Sequence, residues 1–323
     1  MTTASAQTRL RKFLKLDWEK NGALYALALL FVISSVASPY FLQLQNILNI
    51  LRQVSYTGII ALGMTFVIIS GGIDLSVGSM TALVGGVAIL TLNKLGGGFW
   101  AIVGATIVAA VLGIVIGALN GLIVTKGKVA PFIVTLGTLA VYRSLTLYIS
   151  NAGEFRSSSS LYPKLGMGQF LRVPIPVWVM LGLAVLLHLV LTRTRYGRYV
   201  CAVGSNEKVA KYAAIDVDRV RFVSYVITGL TVAISAVLLS SRLNSISSSN
   251  AGVNYELDSV AAVIIGGTPM TGGSGTVFGT VYGAATLGII NNMLNMLGVS
   301  PYLQGTVKGL VIIGAVLIQR KRK

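Results

Sequence analysis

Few side chains in this sequence could do chemistry, and one of them stands in an unusual place. Residues 63–80 read GMTFVIISGGIDLSVGSM: an apolar run meets Gly71-Gly72, passes through Ile-Asp-Leu-Ser, and turns apolar again. A backbone in lipid cannot leave its N–H and C=O groups unpaired, so a helix broken at Gly-Gly must be covered by protein or line a cavity. Asp74, an ionisable group at such a break, is a candidate functional residue. Its plainer role is a helix cap. The carboxylate would accept from the N–H of Ser76 or Val77, at a helix N-terminus that favours negative charge. A cap at a broken helix can also stand in a transport pathway, so both roles are open.

The other polar residues of the apolar runs are neutral: Thr65, Ser70, Ser76, Ser79, Asn120, Thr135, Thr138, Asn291, Asn292 and Asn295. Hydroxyls and amides suit a neutral, hydrogen-bonding solute better than an ion. Ordinary helix–helix hydrogen bonding is the plainer reading of any one of them. We take Thr65, Asp74, Ser76, Ser79, Asn120 and Asn291 as the candidate pathway and gate. Arg143 and Lys308 fall within apolar segments. Each either snorkels to the interface or pairs with Glu256 or Asp258, two carboxylates that also read as first-turn dipole partners.

Catalytic patterns are missing. Residues 121–129 (GLIVTKGKV) have the wrong gap and no Ser/Thr after the lysine, so they end a helix and do not bind phosphate. No nucleophile signature appears. The single Cys201 excludes a disulfide framework, and with one histidine no metal-ligand cluster forms. His188 lies in VMLGLAVLLHLVL and reads as a packed or interfacial histidine. The chain is therefore expected to be no enzyme and to need no cofactor or metal. A transporter of this kind draws on an ion gradient or on a separate ATPase.

The elements that must position these residues are membrane helices. The chain is 54% hydrophobic and 11% charged, against roughly 25% charged in soluble domains. At about 20 residues per crossing, it holds about ten segments. They are expected at 23–37, 46–69, 75–92, 99–124, 131–149, 174–191, 222–239, 257–265, a ninth ending near 297, and 302–318. The eighth is too short to span unless it is a half-helix. Residues 1–22 form a polar tail whose length and acids argue against a cleaved signal peptide. Residues 23–318 form one transmembrane domain, and 319–323 a basic tail. The fold class is all-α, polytopic, with Gly-interrupted helices.

A net charge of +17 would suggest nucleic acid in a soluble chain; here it tests orientation, and no nucleic-acid partner is expected. With the N-terminus inside, Lys126, Lys128, Arg193, Arg195, Arg198, Lys208, Lys211, Arg219, Arg221 and residues 320–323 face the cytoplasm. The outer loops hold only Arg52, Lys94, Arg156, Lys164, Arg172 and Arg242. This asymmetry places both termini in the cytoplasm. Two Gly-rich breaks, GGIDLSVGS (71–79) and GGSGTVFGT (272–280), each open an apolar helix. They point to a pathway at a repeat interface, although the downstream spacing of the two halves differs.

The cytoplasmic segment 193–221 carries a short helical stretch, NEKVAKYAA (206–214), with Ser205 or Asn206 as its cap. Val209, Ala210, Ala213 and Ala214 give it a small apolar stripe. Such a helix docks into a partner's groove, or lies against lipid headgroups.

Three segments together resemble one family: residues 63–79, YGRYVCAVGSNEKVAKYAAID (196–216), and YELDSVAAVIIGGTPMTGGSGTVFGT (255–280). They are similar to the inner-membrane permease subunits of bacterial sugar ABC importers of the ribose/xylose/galactose type, relatives of the branched-chain amino-acid permeases. The resemblance implies a dimeric pore, homo- or heteromeric, in the lipid bilayer. It implies cytoplasmic ATP-binding cassette ATPase subunits and a periplasmic sugar-binding protein as partners. It also implies that Gly204, Asn206, Lys208, Ala210, Lys211, Ala213 and Ile215 belong to the helix that grips the ATPase. The family commonly reads Gly-Gly-Asn and ends Gly-Ile or Gly-Val; here the residues are Gly204-Ser205-Asn206 and Ala214-Ile215, so this helix is expected to turn differently at its end. The alternatives are an ion-coupled carrier of a small polar solute, or a permease for another solute such as an amino acid.

Overall fold

The computed structural model describes residues 18–320. Helices stand at all ten expected places, and the first five are α1 (Trp18–Ala37), α2 (Leu44–Ile69), α3 (Val77–Lys94), α4 (Phe99–Thr125) and α5 (Pro131–Ile149). The short helix α6 (Pro163–Met167) precedes α7 (Ile175–Arg193). Next come α8 (Arg195–Ser205), α9 (Glu207–Tyr212) and α10 (Val217–Leu243). The chain continues through α11 (Tyr255–Ile265), α12 (Val277–Met296) and α13 (Pro301–Arg320). Among the described residues, 7 helices are long and apolar enough to cross a membrane. The protein is a mostly helical polytopic membrane protein.

Three local expectations change. The segment 193–221 is largely helical, and its last residues are the first turns of α10, which starts at Val217 where Asp216 accepts from the Arg219 N–H at 2.9 Å. Arg52 lies inside α2, buried, and bonds Asn49 Oδ1 at 3.3 Å, so it is no loop residue. The polar loops also carry strands. β1 (Glu154–Arg156) pairs antiparallel with β4 (Ser245–Ser247), and β2 (Gln169–Phe170) with β3 (Val173–Pro174).

The core is built around α2, which is buried along most of its length. It packs on α10, α12, α11 and α7. The most extensive contact in the bundle joins α10 to α4. Glycine explains the closeness: a Cβ on Gly229 would collide with the Gly113 carbonyl, and one on Gly117 with the Tyr225 carbonyl. Gly113 and Gly117 form the small-xxx-small spacing that lets membrane helices pack backbone to backbone. The 11-residue α11 is mostly buried. At 1.5 Å per residue it reaches about half of a ~30 Å hydrocarbon core, so it is a half-helix held inside protein.

Gly229→Leu should lower the melting midpoint in detergent markedly, overpacking of this kind costing about 1–3 kcal/mol. Gly137→Ala, whose Cβ would meet nothing within 4 Å, should leave it unchanged or slightly raised. Equal midpoints would contradict the close approach of α4 and α10.

Candidate functional site

The first break starts where α2 ends. Gly71 takes φ +82°, and its N–H reaches the Ile68 carbonyl at 2.9 Å while the Gly72 N–H reaches Val67 at 2.8 Å. Such a left-handed turn closes a helix end, and glycine adopts it without steric cost. The half-helix α11 ends the same way. Gly267 takes φ +93°, with N–H bonds from Gly267 to Ile264 at 2.9 Å and from Thr268 to Val263 at 3.2 Å. The helix-ending glycines are thus Gly71 and Gly267, whereas the sequence comparison set Gly71 beside Gly272.

Gly272 and Gly273 have a different task. Both take positive φ, and the Gly273 N–H donates to the Ile69 carbonyl at 2.9 Å. The two breaks are therefore bonded to each other. The end of α8 sits on this junction. A Cβ on Gly204 would collide with the Ile69 carbonyl oxygen, and Ser205 Oγ donates to the Gly273 carbonyl at 3.3 Å. Arg221, near the start of α10, completes the joint. Its Nε donates to the Ser70 carbonyl at 3.3 Å and its Nη2 to Glu207 Oε2 at 2.8 Å. Glu207 also pairs with Lys211 at 2.6 Å. Lys211, with Arg221 beside it, holds the Glu207 carboxyl below the usual glutamate range. These links stay formed at neutral pH and are lost only as pH falls through that lowered value.

Asp74 is fully buried. Its Oδ1 accepts from the Ser76 N–H at 2.9 Å and from Ser76 Oγ at 2.6 Å. The carboxylate thus forms a turn two residues long just ahead of α3. Asn120 Nδ2 reaches Ser76 Oγ at 2.9 Å and Asp74 Oδ2 at 3.5 Å, while Tyr142 donates to Asn120 Oδ1 at 3.0 Å. No cation pairs with Asp74 among the described residues. The network joins α3, α4 and α5 beside the break. Tyr225 donates to the Ile73 carbonyl at 3.1 Å and ties the same loop to α10.

A family described as the branched-chain amino acid transport system permease component matches residues 46–316. The chain is a member of this permease family. It is 43% identical to the ribose import permease protein of Bacillus subtilis (strain 168), covering 94% of each chain. It is 41% identical along its full length to the ribose import permease protein of Escherichia coli (strain K12). The D-allose transport system permease protein of Escherichia coli (strain K12) is 37% identical, with 94% of this chain and 93% of that one covered. No solved structure matches.

The permease brings some of the candidate residues together and separates others. Asp74, Ser76 and Asn120 share one network, and Ser79 donates to the Ser76 carbonyl at 2.9 Å. Thr65 lies apart, its hydroxyl 2.8 Å from Thr280 Oγ1, joining α2 to α12. Asn291 is distant again, on the wall of a cavity, with its Oδ1 unpaired. Several other neutral side chains join helices: Asn292 and Asn46 exchange amide bonds at 2.7 and 3.2 Å, and Asn295 accepts from Gln304 at 2.8 Å. His188 packs on Phe278 with centroids 4.9 Å apart. Lys308 pairs with Asp258 at 3.0 Å, whereas Arg143 bonds the Ser248 and Ala251 carbonyls at 2.7 and 2.8 Å.

In the permease's helix α9, Asn206 is the cap, accepting from the Val209 N–H at 3.1 Å. Ala210 is buried and Ile215 packs on the core, so they hold the helix to the bundle. Lys208, Lys211 and Ala213 face outward. So do Val209 and Tyr212, the latter 89% exposed. Tyr212 was absent from the sequence-based set; the signal was an aromatic ring on a short polar helix outside the apolar runs. Ala214 takes φ +56° where the helix turns back, with Ile215 N–H bonded to Ala210 at 3.0 Å.

Two outcomes follow from this geometry. Asp74→Asn keeps an acceptor for Ser76 and should leave folding and transport within about twofold, since Asn caps as Asp does. Asp74→Leu strands the buried donors of Ser76 and Asn120 at about 1–3 kcal/mol each, and should cut the yield of folded protein in size-exclusion profiles. Loss of transport in the Asn variant would make Asp74 a titrating group. Ala214→Gly should stabilise the α9 end by about 1 kcal/mol, since Gly adopts positive φ freely. Slower amide exchange at Ile215 would report it.

Proposed function

We propose that this permease is the membrane subunit of an ATP-driven, binding-protein-dependent importer that moves a neutral sugar, pentose or hexose, across the bacterial inner membrane. It performs no chemistry itself. ATP hydrolysis takes place on cassette ATPase subunits, and a periplasmic sugar-binding protein delivers the solute. A second permease subunit, identical or related, completes the pore. In this reading about ten segments cross or enter the membrane, both termini are cytoplasmic, and residues 193–221 form the cytoplasmic coupling region.

One observation carries the reading: the α8–α9 region is seated directly on both helix breaks. Gly204 lies against the Ile69 carbonyl beside Gly273, and Arg221 ties Glu207 to the Ser70 carbonyl. A force applied to the exposed face of α9, at Val209, Tyr212 and Ala213, reaches the breaks through two or three contacts. ATP binding on a partner gripping that face would shift the balance between outward- and inward-open states. The relatives named above are, by name, a ribose import permease and a D-allose transport permease. The neutral side chains inside the bundle accord with an uncharged solute, and a lone Asp74 without a cation gives an ion-coupled carrier little to work with.

Proteoliposomes holding the permease with its ATPase, supplied with the binding protein, should accumulate labelled ribose only with internal or external ATP on the ATPase side. The permease alone should accumulate none. Tyr212→Ala should weaken ATPase co-purification by about tenfold, as loss of an aromatic anchor of ~1.4 kcal/mol or more does. Ion-driven uptake by the permease alone would overturn the reading.

A further inference from the structure

We propose that residues 248–254 line the solute path shared by two permease subunits, and that Asn250 and Asn254 offer their side-chain amides to the hydroxyls of the passing sugar. This rests on the importer reading and names which residues of the pore meet its solute.

The half-helix α11 makes only about half of a crossing. The chain between the end of α10 and Tyr255 makes the rest, without regular structure after β4. Contacts with α3 and α5 fix its depth. At one end of the bundle β4 pairs with β1, whose Arg156 carbonyl accepts from Asn93 Nδ2 at 2.8 Å. From there the chain runs inward along α3. The carbonyls of Ser248 and Ala251 accept from Arg143, about 9 Å short of the end of α5 at 1.5 Å per residue. Gly252, at φ +71°, lies backbone to backbone against Gly78, about 22 Å along α3 from Asn93.

This stretch is polar and uncovered. Ser249, Asn250 and Asn254 are exposed, whereas Asp74, Ser76 and Asn120 are wholly buried and bonded to one another. Asn254 stands at the cap position of α11, yet its side chain caps nothing, and the Asn250 amide bonds no described residue. The backbone N–H groups of Ser249 and Asn254 likewise have no partner among the described residues. Irregular backbone at membrane depth cannot face lipid; it is covered by protein or lines water. Elsewhere the exposed side chains of the long helices are apolar, as Val111 and Val115 of α4 and Val185 and Leu189 of α7 are. Beside the stretch, Ala140 and Ser144, which flank Arg143 in sequence, are small and exposed, the kind of surface that lets another helix approach closely. The edge with free donors and acceptors is therefore the edge that the second subunit closes over and the solute follows. Residues 248–254 carry no charged side chain. Amides and hydroxyls donate and accept alike, which suits a neutral polyhydroxylated solute.

The test uses the complete importer in proteoliposomes. Asn254→Gly keeps the positive φ of +66° while removing the amide. This variant and Asn250→Ala should each lower ribose uptake about five- to tenfold, as loss of one neutral hydrogen bond does, while ATP hydrolysis stimulated by the binding protein stays at the wild-type level. Wild-type uptake in both variants overturns the solute contact and leaves the importer reading standing. No uptake by the wild-type complex overturns the importer reading, and the solute contact with it. Where a variant also loses stimulated hydrolysis, water access decides. The reference is Val141→Cys, at an exposed apolar position of α5. In a Cys201→Ser background, Asn250→Cys should react with a charged maleimide about tenfold faster than this reference, because the thiolate that reacts forms only in water. The faster rate is expected either without nucleotide or with a non-hydrolysable ATP analogue bound. Equal rates in both states mean a dry contact with the second subunit only, and overturn the path.

Discussion

The hydrogen bond from the Gly273 N–H to the Ile69 carbonyl is the constraint from which the rest of the permease follows. A helix that stops inside a membrane leaves its last carbonyls without intrahelical donors, and hydrocarbon offers none. Here every carbonyl at the end of α2 has a donor. Phe66 accepts from Ser70, Val67 from Gly72, Ile68 from Gly71, Ile69 from Gly273, and Ser70 from Arg221. The first three are supplied by the local turn. The last two come from residues about 150 to 200 positions away in the chain. The break in α2 is therefore satisfied only when the second break and the start of α10 are in place. This makes the junction a folding constraint as well as a mechanical one, and it explains why glycine is needed at 204: the α8 end must come within backbone distance of a carbonyl already in use.

The same economy governs the buried polar residues. Asp74 is held by Ser76 and Asn120, and Asn120 by Tyr142, so one carboxylate fixes the relative placement of three helices. Asn292 with Asn46 and Thr65 with Thr280 do this between pairs of helices. In lipid, apolar packing alone discriminates weakly between helix neighbours, and hydrogen bonds with small-residue contacts set the pairing. Most of the neutral polar inventory is spent on architecture. Among the described residues nine buried side-chain atoms make no hydrogen bond, and two of them, Tyr56 Oη and Asn291 Oδ1, lie on one cavity wall.

Much of this was legible in the sequence because membrane helices announce themselves by length and breaks by glycine. That helices stand at these apolar stretches, the short one near 257–265 among them, and that α9 is capped at Ser205 or Asn206 follow from local pattern. What failed was whatever depended on partners distant in sequence. Gly272 resembled Gly71 in spacing, yet Gly267 ends its helix and Gly272-Gly273 reaches across to α2. Helix α8 was hidden because Arg195 and Arg198 make its first turns read as a basic loop, whereas the structure caps it at Thr194 and buries Val200 and Val203. Lys308 pairs with Asp258 and Arg143 with backbone carbonyls, a choice no local pattern encodes. The cavity draws its wall from four helices and had no signature beyond Asn291.

These features also fix how the two ends of the molecule can communicate. Helix α10 carries Arg221 at the junction and Arg242 at the cavity, about 30 Å apart at 1.5 Å per residue. Between them, Gly229 lies backbone to backbone against Gly113 and Gly117. Such a contact has no flexible side chains to absorb a shift, so α10 and α4 move together or separate outright. Helices α2 and α12 likewise run from the junction to the cavity and are joined midway by Thr65 and Thr280. Rotation of α8 and α9 on the breaks would therefore be delivered to the cavity as rigid displacement of α2, α10 and α12, with the short α11 carried along, because the Ala262 and Gly266 carbonyls lie against Gly283 and Gly279 of α12.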